Sequence, residues 1–149
     1  FYSYGAKVLA VADGKIAVAQ DGIAEHVPQA DGHVPFTVTN ANVSGNWIAL
    51  DIGGGRSAFY AHLQPGSLTV KVGDQVKAGQ VLGLVGTSGN ASGPHLHFHV
   101  GNGPSLNGSD GVPFVFREYL FGGRGVPDET AKRRVELCLP VRDAVLTFP

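Results

Sequence analysis

The sequence lacks several features that define whole classes of protein. Its 149 residues include one cysteine and no methionine, and only 15% of them are charged. One cysteine cannot form an internal disulfide or a thiolate metal cluster, so the fold relies on neither. Lysine and arginine number 11 against 12 aspartate and glutamate residues. We therefore predict no nucleic acid partner, because no excess of positive charge would attract one.

Long apolar runs are also absent. The stretch from Ala78 to Ser109 contains no Asp, Glu, Lys or Arg, yet Gly, Asn, Pro and His interrupt it too often for a membrane helix. We expect no membrane span in this segment. Because the chain does not begin with methionine, we expect a processed or trimmed piece, whose export signal would belong to an upstream part.

Glycine and proline, by contrast, are abundant. Twenty-two glycines and nine prolines favour a turn-rich β protein over a helical bundle. No long amphipathic stretch with helical period is present. We predict an all-β, mostly antiparallel domain with long loops and with helix below about 15% of residues, well under the norm for globular proteins.

Short apolar runs locate two hairpins near the start of the chain. Val8–Ala12 and Lys15–Gln20 flank an Asp-Gly pair, which suits the positive φ angles of a two-residue turn. Trp47–Ile52 and Ser57–Leu63 flank three glycines and predict a second hairpin. Between the hairpins, the polar residues 21–46 predict a long loop with one strand at residues 36–39 and with two solvated histidines, His26 and His33.

Charge is concentrated at the end of the chain. We predict a core domain over residues 1–116 and a charged C-terminal extension over residues 117–149, packed on or beside the core. Within the extension, strands are predicted at Val135–Leu139 and near Ala144–Phe148. Cys138 lies among apolar residues, which predicts a buried, inert thiol.

A histidine-rich strand is the clearest sign of chemistry. Side chains alternate along a strand, so three histidines share one face and three apolar residues share the other: His95, His97 and His99 against Leu96, Phe98 and Val100. Histidines two residues apart lie about 6.6–6.8 Å apart at Cα, close enough to address a common metal or substrate. His62, at the predicted end of a strand, is a weaker candidate by itself.

Three segments carry a resemblance to a known family: Tyr60-Ala61-His62-Leu63, Val72–Gly83 and Gly93–Phe98. They resemble the lysostaphin-type zinc endopeptidases, also called LytM-like or murein DD-endopeptidase-like, and the likeness spans about Tyr4 to Val100. The resemblance implies a Gly-rich β scaffold of the barrel-sandwich or duplicated hybrid type. In that family the scaffold holds one zinc ion in a groove that accepts peptidoglycan cross-bridges.

The resemblance also assigns roles to individual histidines. It implies that His97 is a zinc ligand and that His62 and His95 are catalytic histidines outside the ligand set. His99 is expected at the periphery of the site, where it can contact a ligand without binding zinc itself. The family's other two ligands, a His and an Asp, normally precede the segment that starts at Tyr4. The sequence begins at Phe1 with neither, so we expect them on an upstream segment, since a catalytic zinc generally takes three protein ligands.

The implied function is a zinc-dependent endopeptidase that hydrolyses peptidoglycan cross-bridges or Gly-rich peptides, outside the cell or in the periplasm. One alternative is a noncatalytic LytM-like module that binds the cell wall or activates an amidase. Another is a sugar-phosphotransferase carrier domain with a phosphorylated histidine, which would need no metal. The segment Gly93–Phe98 fits the peptidase better than the carrier.

Overall fold

A computed structural model describes residues 3–125, 127–128, 130, 132–140 and 144–147. These residues form ten β-strands and no α-helix, which confirms the all-β prediction. Within the same residues, no helix is long and apolar enough to span a membrane. The strands are β1 (Lys7–Leu9), β2 (Gly14–Gln20), β3 (Asn46–Gly53), β4 (Arg56–Leu63), β5 (Gln75–Val76), β6 (Val81–Leu84), β7 (His97–Gly101), β8 (Phe116–Arg124), β9 (Arg133–Cys138) and β10 (Ala144–Thr147).

The main sheet is antiparallel and has the strand order β5-β2-β3-β4-β7. Apolar side chains from its inner face form the core, together with residues of β1 and β6; among them Ile16, Ile48, Leu50, Tyr60 and Leu82 are almost fully buried. β3 and β4 form the second predicted hairpin, which is therefore confirmed. Its turn contains Gly54 and Gly55, both with positive φ, a conformation that glycine adopts without steric cost.

The first predicted hairpin is wrong. β1 pairs with β6, whereas β2 pairs with β3 and β5. Gly14 lies in β2 with an ordinary φ, and a Cβ at this position would collide with the carbonyl oxygen of Asp51. Asp13 instead accepts a hydrogen bond from the Ala78 amide at 2.9 Å and pairs with Lys77 at 2.7 Å. Gly14 therefore allows β2 and β3 to pack closely, and Asp13 binds the distant turn at residues 77–78.

The long polar loop is confirmed, but the strand predicted inside it is wrong. Residues 36–39 are irregular. Asn42 accepts a hydrogen bond from the Thr39 amide at 2.7 Å through Oδ1 and donates to the Thr37 carbonyl at 3.1 Å through Nδ2. These side-chain bonds occupy the backbone groups that a strand ladder would need, as Asn commonly does in loops.

Contacts divide the chain into two compact units, one ending at Val112 and the other starting at Pro113. The second unit is a sheet with the order β10-β8-β9. Its strand β8 was not predicted from the sequence, because its charged residues Arg117 and Glu118 are adjacent and an apolar run follows them, so the period-two alternation of a strand is missing. β9 and β10 lie close to their predicted positions, with Phe148 outside the described residues. The boundary at residue 116 and the packing of the extension on the core stay predictions.

The predicted burial of Cys138 is wrong, because its side chain is exposed. β9 is an edge strand with five of its six residues exposed. An edge strand has a neighbour on one side only, so apolar sequence around a residue does not ensure its burial.

The close approach at Gly14 generates a stability prediction. We expect Gly14→Ala to lower the free energy of unfolding by about 2 kcal/mol, because the added Cβ would meet backbone atoms that cannot rotate away. The matched control is Gly111→Ala, since Gly111 has an ordinary φ and open space around its Cβ position. Urea denaturation of both variants measures the effect, and equal losses would contradict the steric explanation.

Candidate active site

His62 lies at an irregularity between β3 and β4. Asn46 pairs with Leu63 and Ile48 pairs with Tyr60, so two residues of β4 face one residue of β3. This extra residue defines a β-bulge, a feature that re-aims side chains. His62 itself has a φ of 63°, in the left-handed region that residues other than glycine rarely adopt.

The bulge moves His62 out of the core pattern. Simple alternation from Tyr60 would place the His62 side chain in the core, but Leu63 takes that place. The unusual backbone is held by two hydrogen bonds: the His62 amide donates to the Ser44 carbonyl at 3.0 Å, and the Gly86 amide donates to the His62 carbonyl at 2.9 Å. Such strain costs about 1–3 kcal/mol and is typical of functional sites.

The bulge brings His62 close to two histidines of the predicted histidine strand. The ring centroid of His62 lies 4.8 Å from that of His95 and 5.8 Å from that of His97. The prediction that His95 shares the strand is wrong, because β7 begins at His97. From His97 onward the predicted alternation is confirmed, since His99 stacks on Phe59 and Phe98 packs against the core residue Tyr60.

Backbone carbonyls determine which nitrogens of His62 and His95 carry protons. His62 Nδ1 lies 2.9 Å from the Ser88 carbonyl oxygen, and His95 Nδ1 lies 2.9 Å from the Gly93 carbonyl oxygen. A carbonyl oxygen can only accept, so each Nδ1 is the donor. In the neutral imidazoles each Nε2 therefore keeps its lone pair and can accept a proton.

Burial is the main electrostatic influence on this cluster. The His62 side chain is 5% exposed, and desolvation lowers its pKa to about 4; its hydrogen bond to Ser88 opposes the shift, and the nearby His95 and His97 add to it. Burial also lowers the pKa of His97 and of His99, each with a smaller contribution from a neighbouring histidine. His62 is therefore neutral at pH 7.

His99 holds the ring of His97. Its Nδ1 lies 3.1 Å from His97 Nε2, and its ring stacks on Phe59 with centroids 4.6 Å apart. No described residue makes a hydrogen bond to His97 Nδ1, which suits this atom to metal ligation. However, no group of three or more His, Cys, Asp or Glu side chains in the described part of the chain is arranged to hold a metal ion. These residues thus offer one ligand and do not fit a complete zinc site.

Two supporting residues were missed by sequence reasoning. Ser88 is fully buried; its hydroxyl accepts from the Asn46 amide at 2.9 Å and donates to the Leu63 carbonyl at 2.7 Å. The sequence shows only a small polar loop here, with no periodic signal for burial. His26, predicted to be solvated, is half-buried, and its Nε2 donates to the Gly89 carbonyl at 3.1 Å. His33 is exposed, as predicted.

Comparison with known proteins finds similarity to peptidases. Glycyl-glycine endopeptidase ALE-1 of Staphylococcus capitis is 36% identical over 117 residues, which cover 77% of this chain and 27% of that protein. The catalytic domain of lysostaphin from Staphylococcus simulans has a TM-score of 0.51 at 31% identity, covering 72% of this chain and 68% of that one. The chain spans about a quarter or less of the length of the curated relatives it matches most strongly.

A third similarity concerns the fold alone. The catalytic domain of the prophage-encoded M23 protein EnpA from Enterococcus faecalis has a TM-score of 0.53 at 23% identity, covering 74% of this chain and 68% of that one. The family model described as Peptidase family M23 matches residues 1–108, well over half of the sequence. Together with the histidine cluster and the all-β scaffold, this match shows that the chain belongs to peptidase family M23.

Proposed function

We propose that this chain hydrolyses peptide bonds of peptidoglycan, in cross-bridges or other Gly-rich peptides, as part of a zinc-dependent endopeptidase located outside the cell or in the periplasm. The observation that carries the proposal is the pair His62 and His95, with ring centroids 4.8 Å apart. A strained bulge places one member, and a carbonyl orients each ring so that Nε2 is an acceptor. The glycyl-glycine activity of ALE-1 supports the substrate class.

Hydrolysis of an amide needs a group that takes a proton from water and a group that returns one to the leaving amine. Both His62 and His95 can accept a proton at Nε2, because Nδ1 of each is already bonded to a carbonyl. The lowered pKa of His62 makes its protonated form a stronger acid than an ordinary imidazolium. We infer that these two imidazoles hold and transfer the protons of the reaction.

Zinc enters this proposal through His97. Its Nδ1 has no hydrogen-bond partner among the described residues and suits one ligand position, and His99 orients the ring. The resemblance predicts that a His and an Asp of the family's early motif complete the set, and this stays a prediction. The incomplete set is also what favours the second candidate function, a noncatalytic module that binds the cell wall or activates an amidase.

The proposed roles predict different behaviour for two kinds of histidine variant. In the full-length protein, His62→Ala and His95→Ala should retain zinc and lose roughly a hundredfold or more in peptide cleavage, the usual scale for losing an acid–base group. His97→Ala should lose both zinc and activity. Zinc content and cleavage of pentaglycine are measured on the same preparations.

His33→Ala is the control, because His33 is exposed and lies in the long loop. Full activity in both His62→Ala and His95→Ala would contradict their catalytic assignment. A full-length protein that binds cell walls but cleaves no wall peptide would favour the noncatalytic module.

Burial of neutral His62 predicts a loss of stability in acid. The folded pKa of about 4 lies below the unfolded value of about 6.5, so the unfolded chain binds more protons between these values. Stability should therefore fall by about 2–3 kcal/mol as the pH drops from about 6.5 to 4. Urea unfolding of the chain with chelator present, compared with His62→Gln, measures this term.

His62→Gln should show a weaker dependence of stability on pH over that range, whatever its stability at pH 7. His33→Gln, in the exposed loop, should keep the dependence of the unaltered chain. Identical slopes for the unaltered chain and His62→Gln would show that His62 is not buried in its neutral form.

A further inference from the structure

A second feature of the first unit lies next to the histidine cluster. It is a groove of about 510 Å³, lined by Tyr4, Glu25, His26, Val27, Pro28, Thr87 and Pro94. Thr87 directly precedes Ser88, whose carbonyl binds His62. Pro94 directly precedes His95. The groove is therefore lined by the residues that directly precede Ser88 and His95, and we call it the Glu25 groove.

The carboxylate of Glu25 is held in a defined position in this groove. Oε1 accepts a hydrogen bond from the Thr87 amide at 2.8 Å, and Oε2 accepts one from the Tyr4 hydroxyl at 2.9 Å. A Cβ at Gly86 would collide with Oε1, so only glycine lets the loop backbone approach the carboxylate this closely. Oε1 also lies 3.4 Å from the Thr87 hydroxyl, whereas Oε2 keeps a second lone pair. The carboxylate is thus both fixed and still able to accept hydrogen bonds.

Among the described residues, no lysine or arginine forms an ion pair with this carboxylate. The residues that line the groove also include no lysine or arginine. Asp13, by contrast, forms an ion pair with Lys77. A half-buried, unpaired carboxylate attracts a cationic group more strongly than a fully solvated one.

The neighbouring side chain adds a second acceptor without a donor. His26 Nε2 lies 3.1 Å from the Gly89 carbonyl oxygen and must donate to it, which leaves Nδ1 as an acceptor in the neutral ring. This Nδ1 is buried, and no described residue provides a hydrogen-bond donor for it. The Thr87 hydroxyl lies 3.1 Å from the His26 carbonyl oxygen and 3.4 Å from Glu25 Oε1, so its donor is directed to one of these two acceptors. Because this Nδ1 is buried, the acceptor that the wall offers to a ligand is the Glu25 carboxylate.

A ligand that fits such a wall is positively charged and rich in donors. A primary ammonium group has three N–H donors and a full charge, whereas a peptide amide offers one donor and no charge. We propose that Glu25 is a specificity-determining residue that binds an ammonium group of the peptide substrate near the scissile bond. The ammonium belongs either to the free N-terminus of a peptide or to the side chain of a diamino residue.

Glu25 and His62 bind backbone groups of two consecutive residues. Glu25 binds the amide of residue 87 and His62 binds the carbonyl of residue 88, and consecutive Cα atoms are about 3.8 Å apart. This inference rests on the proposed function only in taking a wall peptide as the ligand. Binding of the peptide requires no cleavage, so the two can be tested separately.

The experiment measures peptide binding to this chain by NMR titration at pH 7 with chelator present. The probes are pentaglycine amide with a free N-terminus, the same peptide with an acetylated N-terminus, and an acetylated peptide with lysine as its central residue. We expect at least one of the two amine-bearing peptides to bind about tenfold more tightly than the uncharged one. The peptide that does so identifies the source of the ammonium. Its binding should shift the amide resonance of Thr87.

Two variants test whether Glu25 is responsible. Glu25→Gln keeps the side-chain size and an acceptor for the Thr87 amide but removes the charge, so the preference for the amine should disappear. Glu136→Gln is the matched control, because Glu136 is an exposed residue of the second unit. Equal affinity of the unaltered chain for all three peptides, or an unchanged preference in Glu25→Gln, would overturn the proposal.

A third variant distinguishes loss of the Glu25 charge from a general disturbance of the groove. Tyr4→Phe removes the hydroxyl that donates to Oε2 but keeps the charge of Glu25, so the amine preference should remain. Loss of the preference in a folded Tyr4→Phe variant would assign recognition to the hydroxyl and overturn the proposal. If the full-length protein cleaves wall peptides without any amine preference, the role of Glu25 is contradicted and the proposed function stands. A preference without cleavage would instead support the role of Glu25 and contradict the proposed function.

Discussion

The register shift between β3 and β4 determines where the His62 side chain lies. Two residues of β4 face one of β3 at this point, and the backbone of His62 adopts a left-handed conformation. Without the extra residue, His62 would follow Tyr60 into the apolar core. The shift places the imidazole beside His95 and His97 while Leu63 fills the core position. The buried hairpin on either side of the bulge offsets the cost of its strain.

Close packing of two loops holds the bulge in place. A Cβ at Gly45 would collide with Ser88, and a Cβ at Gly89 would collide with the backbone of Gly45. The loops before β3 and after β6 therefore meet backbone to backbone, which only glycine permits. At this contact the Ser44 carbonyl accepts a hydrogen bond from the His62 backbone amide, and the Ser88 carbonyl accepts one from the His62 ring. Glycine is thus part of how the site is positioned.

Desolvation, with few nearby charges, sets the electrostatics of the site. Burial lowers the pKa of His62 most strongly, to about 4, and the cationic forms of nearby histidines lower it further. A carboxylate bonded directly to His62 would favour its charged form, but the ring is oriented by a neutral carbonyl. The carboxylate of Glu25 binds the amide of Thr87, the residue before Ser88, and lines the groove. Proton transfer and substrate recognition are therefore assigned to different side chains.

The sequence by itself determined the features that depend on local pattern. Glycine content and short apolar runs predicted the all-β class, three glycines predicted the β3–β4 turn, and period-two alternation predicted that His97 and His99 share a face. The motif around His95 and His97 predicted the family. Each of these follows from neighbours in the chain, so no knowledge of distant contacts is needed.

Only the tertiary structure decided which distant segments meet. The pairing of β1 with β6 and the packing of Gly14 against Asp51 join strands that are far apart in sequence. The bulge at His62 lies within one hairpin, but the Gly86 amide that binds its carbonyl comes from a distant segment. The bond between Glu25 and the Thr87 amide joins residues 62 positions apart. Local periodicity contains no information about register between such segments, because register is decided by the packing of the whole core.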